Sequence, residues 1–242
     1  MGVAMKLGLL LAVLGAVQFS MAASAQSTNM IIQERNMLIL NGLAGAPNVV
    51  EGNGRITTED RRIGAVTEVR IDGAFDVTVT VGPAPSLTLE GDENVLAIIK
   101  TEQSGKLLRI YPDSSYSTRS PLKVALALPE LVRLSSSGSS TIEASGFDQE
   151  RFQLDLNGSS KAALAGKVQS FAGTISGSGS LSAEKLDADS VAIDISGAGK
   201  CTATAHRSVV ANISGAGAIT VHGNPPERDT HVSGAGKIAF PN

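Results

Sequence analysis

The 242-residue chain has no tryptophan, a single cysteine, three histidines, and aromatic residues at only 3% of its positions. One cysteine cannot form an intramolecular disulfide. The shortage of large rings leaves only a thin core of small and β-branched residues. Positive charge in excess is also missing. Twenty Lys and Arg stand against 23 Asp and Glu, a net charge of −3, which argues against a nucleic-acid partner because such a partner wants a basic face. Beyond the first 25 residues no apolar run approaches the ~20 residues needed to cross a membrane. No sustained helical period occurs either; only a single helical turn near Asp92–Ala97 is expected.

What is present begins with export. A short leading segment carries one charge, Lys6, and an apolar run follows from Leu7 to Val17. Ala23-Ser24-Ala25 then has the small-residue pattern of a signal-peptidase site, so residues 1–25 read as a secretory signal peptide cut before Gln26. The apolar run is too short for a spanning anchor, and no Cys marks a lipoprotein. Removing 25 of the 242 residues leaves 217, and losing Lys6 moves the net charge to −4. The expected location is the periplasm or the cell surface. Residues 26–62 are polar and punctuated by Asn41-Gly42, Ala46-Pro47 and Gly52-Asn53-Gly54, and are expected to be a flexible lead-in ordered only near Arg61. Residues 63–242 are expected to form one domain.

That domain is all-β. Val69 and Ile71, then Phe75, Val77, Val79 and Val81, alternate around Asp72-Gly73. Leu87 and Leu89, Leu108 and Ile110, and Val124, Leu126 and Leu128 mark further short strands, each bounded by turn residues.

The C-terminal half repeats. A small-residue cluster around a glycine occurs at Gly138, Gly158, Gly177, Gly197, Gly215 and Gly234, spaced 18–20 residues apart, a period that means stacked supersecondary units. Aligned on that glycine, the column two residues earlier reads Ser136, Leu156, Ile175, Ile195, Ile213 and Val232. The column four residues later reads Ile142, Ala162, Leu181, Cys201, Ile219 and Ile238, and the one six later reads Ala144, Leu164, Ala183, Ala203, Val221 and Phe240. The residue between the last two columns is mostly polar or small. Period two on both sides of the glycine makes each flank a strand with one inward face. Glycine and serine at the bend would break a helix. The unit is therefore strand, glycine bend, strand and variable turn, stacked as a parallel β-solenoid.

These features together resemble the bacterial head GIN domain family, described as putative auto-transporter adhesins. The resemblance runs from Arg61 to Asn242. It rests on Asp72-Gly73-Ala74-Phe75-Asp76-Val77, Gly91-Asp92-Glu93-Asn94-Val95-Leu96, Leu107-Leu108-Arg109-Ile110, Leu128-Pro129-Glu130-Leu131 and the Ser-Gly-x-Gly copies. It implies a right-handed parallel β-helix on an exported protein, and brings no catalytic residues with it. No capping segment follows Phe240-Pro241-Asn242, so the last rung is expected to be bare.

The residues that could carry chemistry are few. Cys201 shares a column with Ile, Ala and Leu, which reads as core rather than nucleophile. His206, His222 and His231 fall in different columns, so no metal-ligand spacing emerges, and neither a metal nor another cofactor is implied. Bends carrying Ser, Ala and Gly without a repeated Asp do not make a calcium roll. One outward column, three before the glycine, holds Ser135, Asp155, Thr174, Asp194, Asn212 and His231. Asp155 and Asp194 would stand two rungs apart, ~9–10 Å, at the upper edge of the carboxylate separation in inverting glycosidases. No Trp or Tyr, and no Arg or Lys cluster, accompanies them. A second outward column holds Lys161, Lys200 and Lys237, which either discourage stray sheet pairing or face an anionic envelope surface.

Two readings follow. The preferred one is a non-enzymatic envelope or surface scaffold for adhesion, with a surface glycan or protein as partner. The alternative is a carbohydrate-active β-helix enzyme using Asp155 and Asp194. Self-association through the bare last rung is a third.

Overall fold

The computed structural model describes residues 49–241; the expected signal peptide and residues 26–48 of the expected lead-in lie outside them. The fold is a β-solenoid of parallel coils. Each coil has one leg before the glycine corner and one after it, and we call these the first and second legs.

In chain order the strands are β1 (Val50–Glu51), β2 (Ile56–Arg61), β3 (Glu68–Gly73), β4 (Asp76–Val81) and β5 (Ser86–Asp92). After the one-turn helix α1 (Glu93–Leu96) come β6 (Ile99–Ser104), β7 (Leu107–Pro112), β8 (Tyr116–Ser117), β9 (Lys123–Leu128) and β10 (Arg133–Gly138). The repeat supplies β11 (Thr141–Gly158), β12 (Lys161–Gly177), β13 (Ser180–Gly197), β14 (Lys200–Gly215), β15 (Ala218–His222), β16 (Glu227–Gly234) and β17 (Lys237–Ala239). β10 to β17 stack in parallel with the corner glycines in register: Gly138 on Gly158, Gly177, Gly197, Gly215 and Gly234.

The corner has a physical cause. All six glycines hold φ between +97° and +129°, a region that side chains avoid. A Cβ on each would also fall about on the carbonyl below; at Gly177 it would lie 2.6 Å from the oxygen of Gly158. That oxygen is already taken by the next amide: the N–H of Ser178 donates to the Gly158 carbonyl at 2.9 Å, and the N–H of Ala198 to that of Gly177 at 2.9 Å. The corner is thus a backbone ladder packed too tightly for any side chain. Coil-length differences are absorbed far from it, at register shifts such as the one between Ser145 and Phe147.

The predicted columns hold up to the last rung, where Val232 is exposed and Ile238 and Phe240 are half-buried. Leu156, Ile175, Ile195 and Ile213 are buried, as are Ile142, Leu181, Cys201 and Ile219. Phe147, Phe152 and Phe171 stack along the interior of successive coils, with ring centroids 4.5 and 5.9 Å apart. Ser136, the exception to its column, is fully buried with its hydroxyl 3.0 Å from that of Ser160.

Three features differ from the sequence expectations. First, part of the lead-in is structured: β2 pairs antiparallel with β5, and β1 pairs with β8. Second, Gly73 belongs to the corner column: β3 pairs with β10 so that Gly73 lies on Gly138, with φ +136°. β7 and β9 lie in parallel below β3 and β4, and antiparallel β5, β2 and β6 close that end. Third, the last rung, exposed along all of β16, is not uniformly apolar on its inward side: Arg228 stacks on Val209 and Thr230 on Ala211, while Val232 on Ile213 stays apolar. The Arg228 guanidinium lies 4.3 Å from the centre of the Phe240 ring.

Candidate interaction face

The first legs present their outward side as three columns. The middle one, read in register, is Arg70, Ser135, Asp155, Thr174, Asp194, Asn212 and His231. The alternation that buries Leu156 and Ile195 turns these side chains outward. The structure divides the column into two halves of different character.

The N-terminal half is neutralised by ion pairs. Asp155 accepts from Arg133 Nη2 at 2.7 Å and Nε at 2.8 Å, from the Ser135 hydroxyl at 3.3 Å, and from Gln153 at 3.3 Å. Its side chain keeps only 14% exposure. Two coil rows lower, Asp72 is held by Arg70 at 3.1 Å and Arg109 at 3.0 Å. No Arg or Lys cluster was expected beside the two aspartates, and a single arginine, Arg133, pairs with Asp155. Arg133 lies two residues before Ser135, hence on the same outward side, and the register alone could have found it.

The C-terminal half is open. Thr174, Asp194, Asn212 and His231 line one shallow depression of about 360 Å³, with Ser196, Ser214 and Ser233 along its rim. Asn212 Nδ2 donates to Asp194 Oδ1 at 2.7 Å. That bond aligns two planar polar groups edge to edge and leaves Asp194 Oδ2, Asn212 Oδ1 and the His231 ring to face a ligand. Of the five column residues singled out from the sequence, four meet here. Asp155 stands apart in its arginine pair, so the two aspartates do not share a cleft.

The remaining candidates resolve individually. Cys201 is 2% exposed and burial pushes its thiol up to about 12, which makes it core. His206 pairs with Asp187, well away from His231 in register. Among the described residues no group of three or more metal-ligating side chains gathers. A second hollow, which the sequence did not signal, lies beside the helix turn. It holds about 460 Å³ and is lined by Glu51, Asp92, Thr118 and Arg119 among others. Asp92 is buried there, accepting from the Gly54 amide at 2.5 Å and from the Thr118 hydroxyl. Asn94 Nδ2 donates to the Glu51 carbonyl at 2.6 Å and its Oδ1 accepts from the Asn53 amide at 3.0 Å. These bonds pin the β1–β2 loop to α1.

Comparison with known proteins bears on this arrangement. No curated protein sequence matches significantly. Among solved structures, a putative adhesin from Bacteroides fragilis NCTC 9343 aligns with a TM-score of 0.63 at 19% identity, over 79% of this chain and 100% of its own. A putative lipid binding protein from Parabacteroides distasonis ATCC 8503 aligns with a TM-score of 0.54 at 23% identity, over 81% and 100%. At such identities the likeness is one of fold. The family model described as putative auto-transporter adhesin, head GIN domain, matches residues 65–225, and the chain belongs to that family.

Proposed function

We propose that the protein is a non-enzymatic interaction scaffold of the bacterial cell envelope, exported by cleavage after Ala25, whose open first-leg face binds a surface partner. The depression at Asp194, Asn212 and His231 carries this reading. It is a shallow set of aligned, planar hydrogen-bonding groups on a rigid stack of strands, and such groups suit a hydroxyl-rich glycan. The rival reading, hydrolysis by Asp155 and Asp194, is weakened by the saturation of Asp155 by Arg133, Ser135 and Gln153. A general acid or base needs a free lone pair or proton facing the substrate.

The test is an array of neutral bacterial surface glycans probed with the chain beginning at Gln26, alongside Asn212→Ala and Asp194→Ala. Losing one such hydrogen bond should weaken binding about tenfold, ~1.4 kcal/mol. Release of reducing sugar from a bound glycan, abolished by Asp155→Asn, would establish the enzyme instead. Labelling of intact against lysed cells checks the location, and protection in intact cells would rule out the cell surface.

A further inference from the structure

The second legs carry a different surface on the other side of the glycine corner. Their first outward column, in register, runs Lys123, Asp76, Thr141, Lys161, Ser180, Lys200, Ala218 and Lys237. Lys123 is tied to Glu90 at 2.8 Å. Lys161, Lys200 and Lys237 are exposed, and none of them enters an ion pair among the described residues. One small residue separates each from the next. Two coils span about 10 Å, so the three ammonium groups repeat at that interval.

The surroundings of the column are unusually free of negative charge for a chain of net charge −3. The neighbouring outward column reads Glu143, Ala163, Ser182, Thr202, Thr220 and Ala239. Its one carboxylate, Glu143, lies a coil before Lys161. Glu184 stands at the far end of its leg with Lys185 next to it in the chain. The strip from Lys161 to Lys237 is thus floored by Ser, Thr and Ala, with a cation at every second rung and no bulky side chain between.

We propose that this strip is a binding track for a linear anionic glycan lying along the solenoid axis and carrying one acidic group per disaccharide. Two pyranose rings of an extended chain cover the distance between alternate rungs. Each acidic group then meets one ammonium, while Ser182, Thr202 and Thr220 offer hydroxyls to the ring between. A nucleic-acid strand carries a phosphate every ~3.4 Å and does not match three cations at 10 Å. A membrane surface would want apolar residues beside the lysines, and the flanking column has none larger than Thr. This track does not depend on the first-leg depression and goes beyond it.

The experiment uses the chain beginning at Gln26 and calorimetric titration at 50 mM salt. The probes are a hyaluronan decasaccharide (one carboxylate per disaccharide), dextran, single-stranded DNA and anionic phosphatidylserine vesicles. Binding to the decasaccharide is expected, weakened by salt, and at least tenfold weaker in Lys161→Gln/Lys200→Gln/Lys237→Gln. The decisive variant is Ser180→Lys/Lys200→Ser, which keeps the net charge and moves the middle cation one rung. It should bind at least fivefold more weakly. Both substitutions place residues already found in that column, and an unreactive Cys201 thiol reports that each variant is folded. The proposal is overturned if the permuted variant binds as well as the parent, if dextran, DNA or vesicles bind as tightly as the decasaccharide, or if nothing binds. Asn212→Ala leaves this titration unchanged, so failure here is distinct from failure at the first-leg depression.

Discussion

Gly177 and Gly105 both have positive φ, +114° and +59°, but only Gly177 has a carbonyl where its Cβ would go. Gly177→Ala should therefore cost ~3 kcal/mol or more, from backbone strain plus overlap. Gly105→Ala, with open space around it, should cost ~1 kcal/mol. Urea midpoints of the two variants check the difference. At Gly199, Gly217 and Gly236 the second corner glycine answers to an isoleucine side chain instead. A Cβ on Gly199 would lie 2.6 Å from Ile175 Cγ2, so Gly199→Ala should be partly rescued by Ile175→Leu, which removes that methyl. Where the first coil has Ser136 in place of a branched residue, the corner accommodates Ser160. Cys201 gives a prediction in pH. Its thiol ionises at the ordinary value of 9.0 once unfolded, but only at about 12 in the fold. The folded state thus favours the protonated form, and the stability this contributes is complete below pH 9 and lost as pH rises toward 12. The slope approaches ~1.4 kcal/mol per pH unit. Cys201→Ala should lose that alkaline slope, as seen by subtracting its pH–stability profile from the parent's.

At the scale of elements, the two ends of the stack matter most. β16 is exposed throughout and carries Glu227, Arg228, Asp229 and His231; such charges on an edge strand oppose pairing with another copy. Two of its inward positions, Arg228 and Thr230, are polar where Val209 and Ala211 below them are apolar, while Val232 alone continues the apolar column. Replacing both by Val extends that column to an open edge, so Arg228→Val/Thr230→Val should form dimers or larger species by light scattering while the parent remains monomeric. This polar switch was written in the sequence at inward positions of a known register, from Val209 and Ala211 to Arg228 and Thr230. The inward and outward columns of the repeat were legible for the same reason: side-chain period and coil period agree, and each coil contacts only its neighbours. The N-terminal end was not. Gly73 lies 65 residues from Gly138, and the insertion between them hides a corner that only the β3–β10 pairing reveals. Val50–Arg61 looked structureless because β2 is an exposed edge strand with no apolar alternation, ordered by its partner β5. The outward site was half legible. Column position placed Thr174, Asp194, Asn212 and His231 together, but whether an aspartate stands free or paired depends on side-chain conformation, which periodicity does not specify.

The described domain as a whole behaves as a one-dimensional stack, in which stability is the sum of coil terms and neighbour terms. Gly177 and Gly234 let this be tested with one chemistry at two places. Both have φ near +115°, at +114° and +119°, and a Cβ on either would lie 2.6 or 2.5 Å from the carbonyl of the corner below. Gly177 has coils on both sides, whereas Gly234 lies in the edge strand β16. Alanine at Gly177 strains two interfaces, and neither neighbour can yield without opening the stack. At Gly234 only the interface with β14 is strained, and the terminal coil can loosen while the rest stays closed. Gly177→Ala should therefore move the global unfolding midpoint by its full cost. Gly234→Ala should move it by less than half as much, with amide-exchange protection lost in β16 and β17 alone. Equal midpoint shifts would mean that the terminal coil unfolds only with the whole stack, and that its edge residues bind it as firmly as an interior neighbour would.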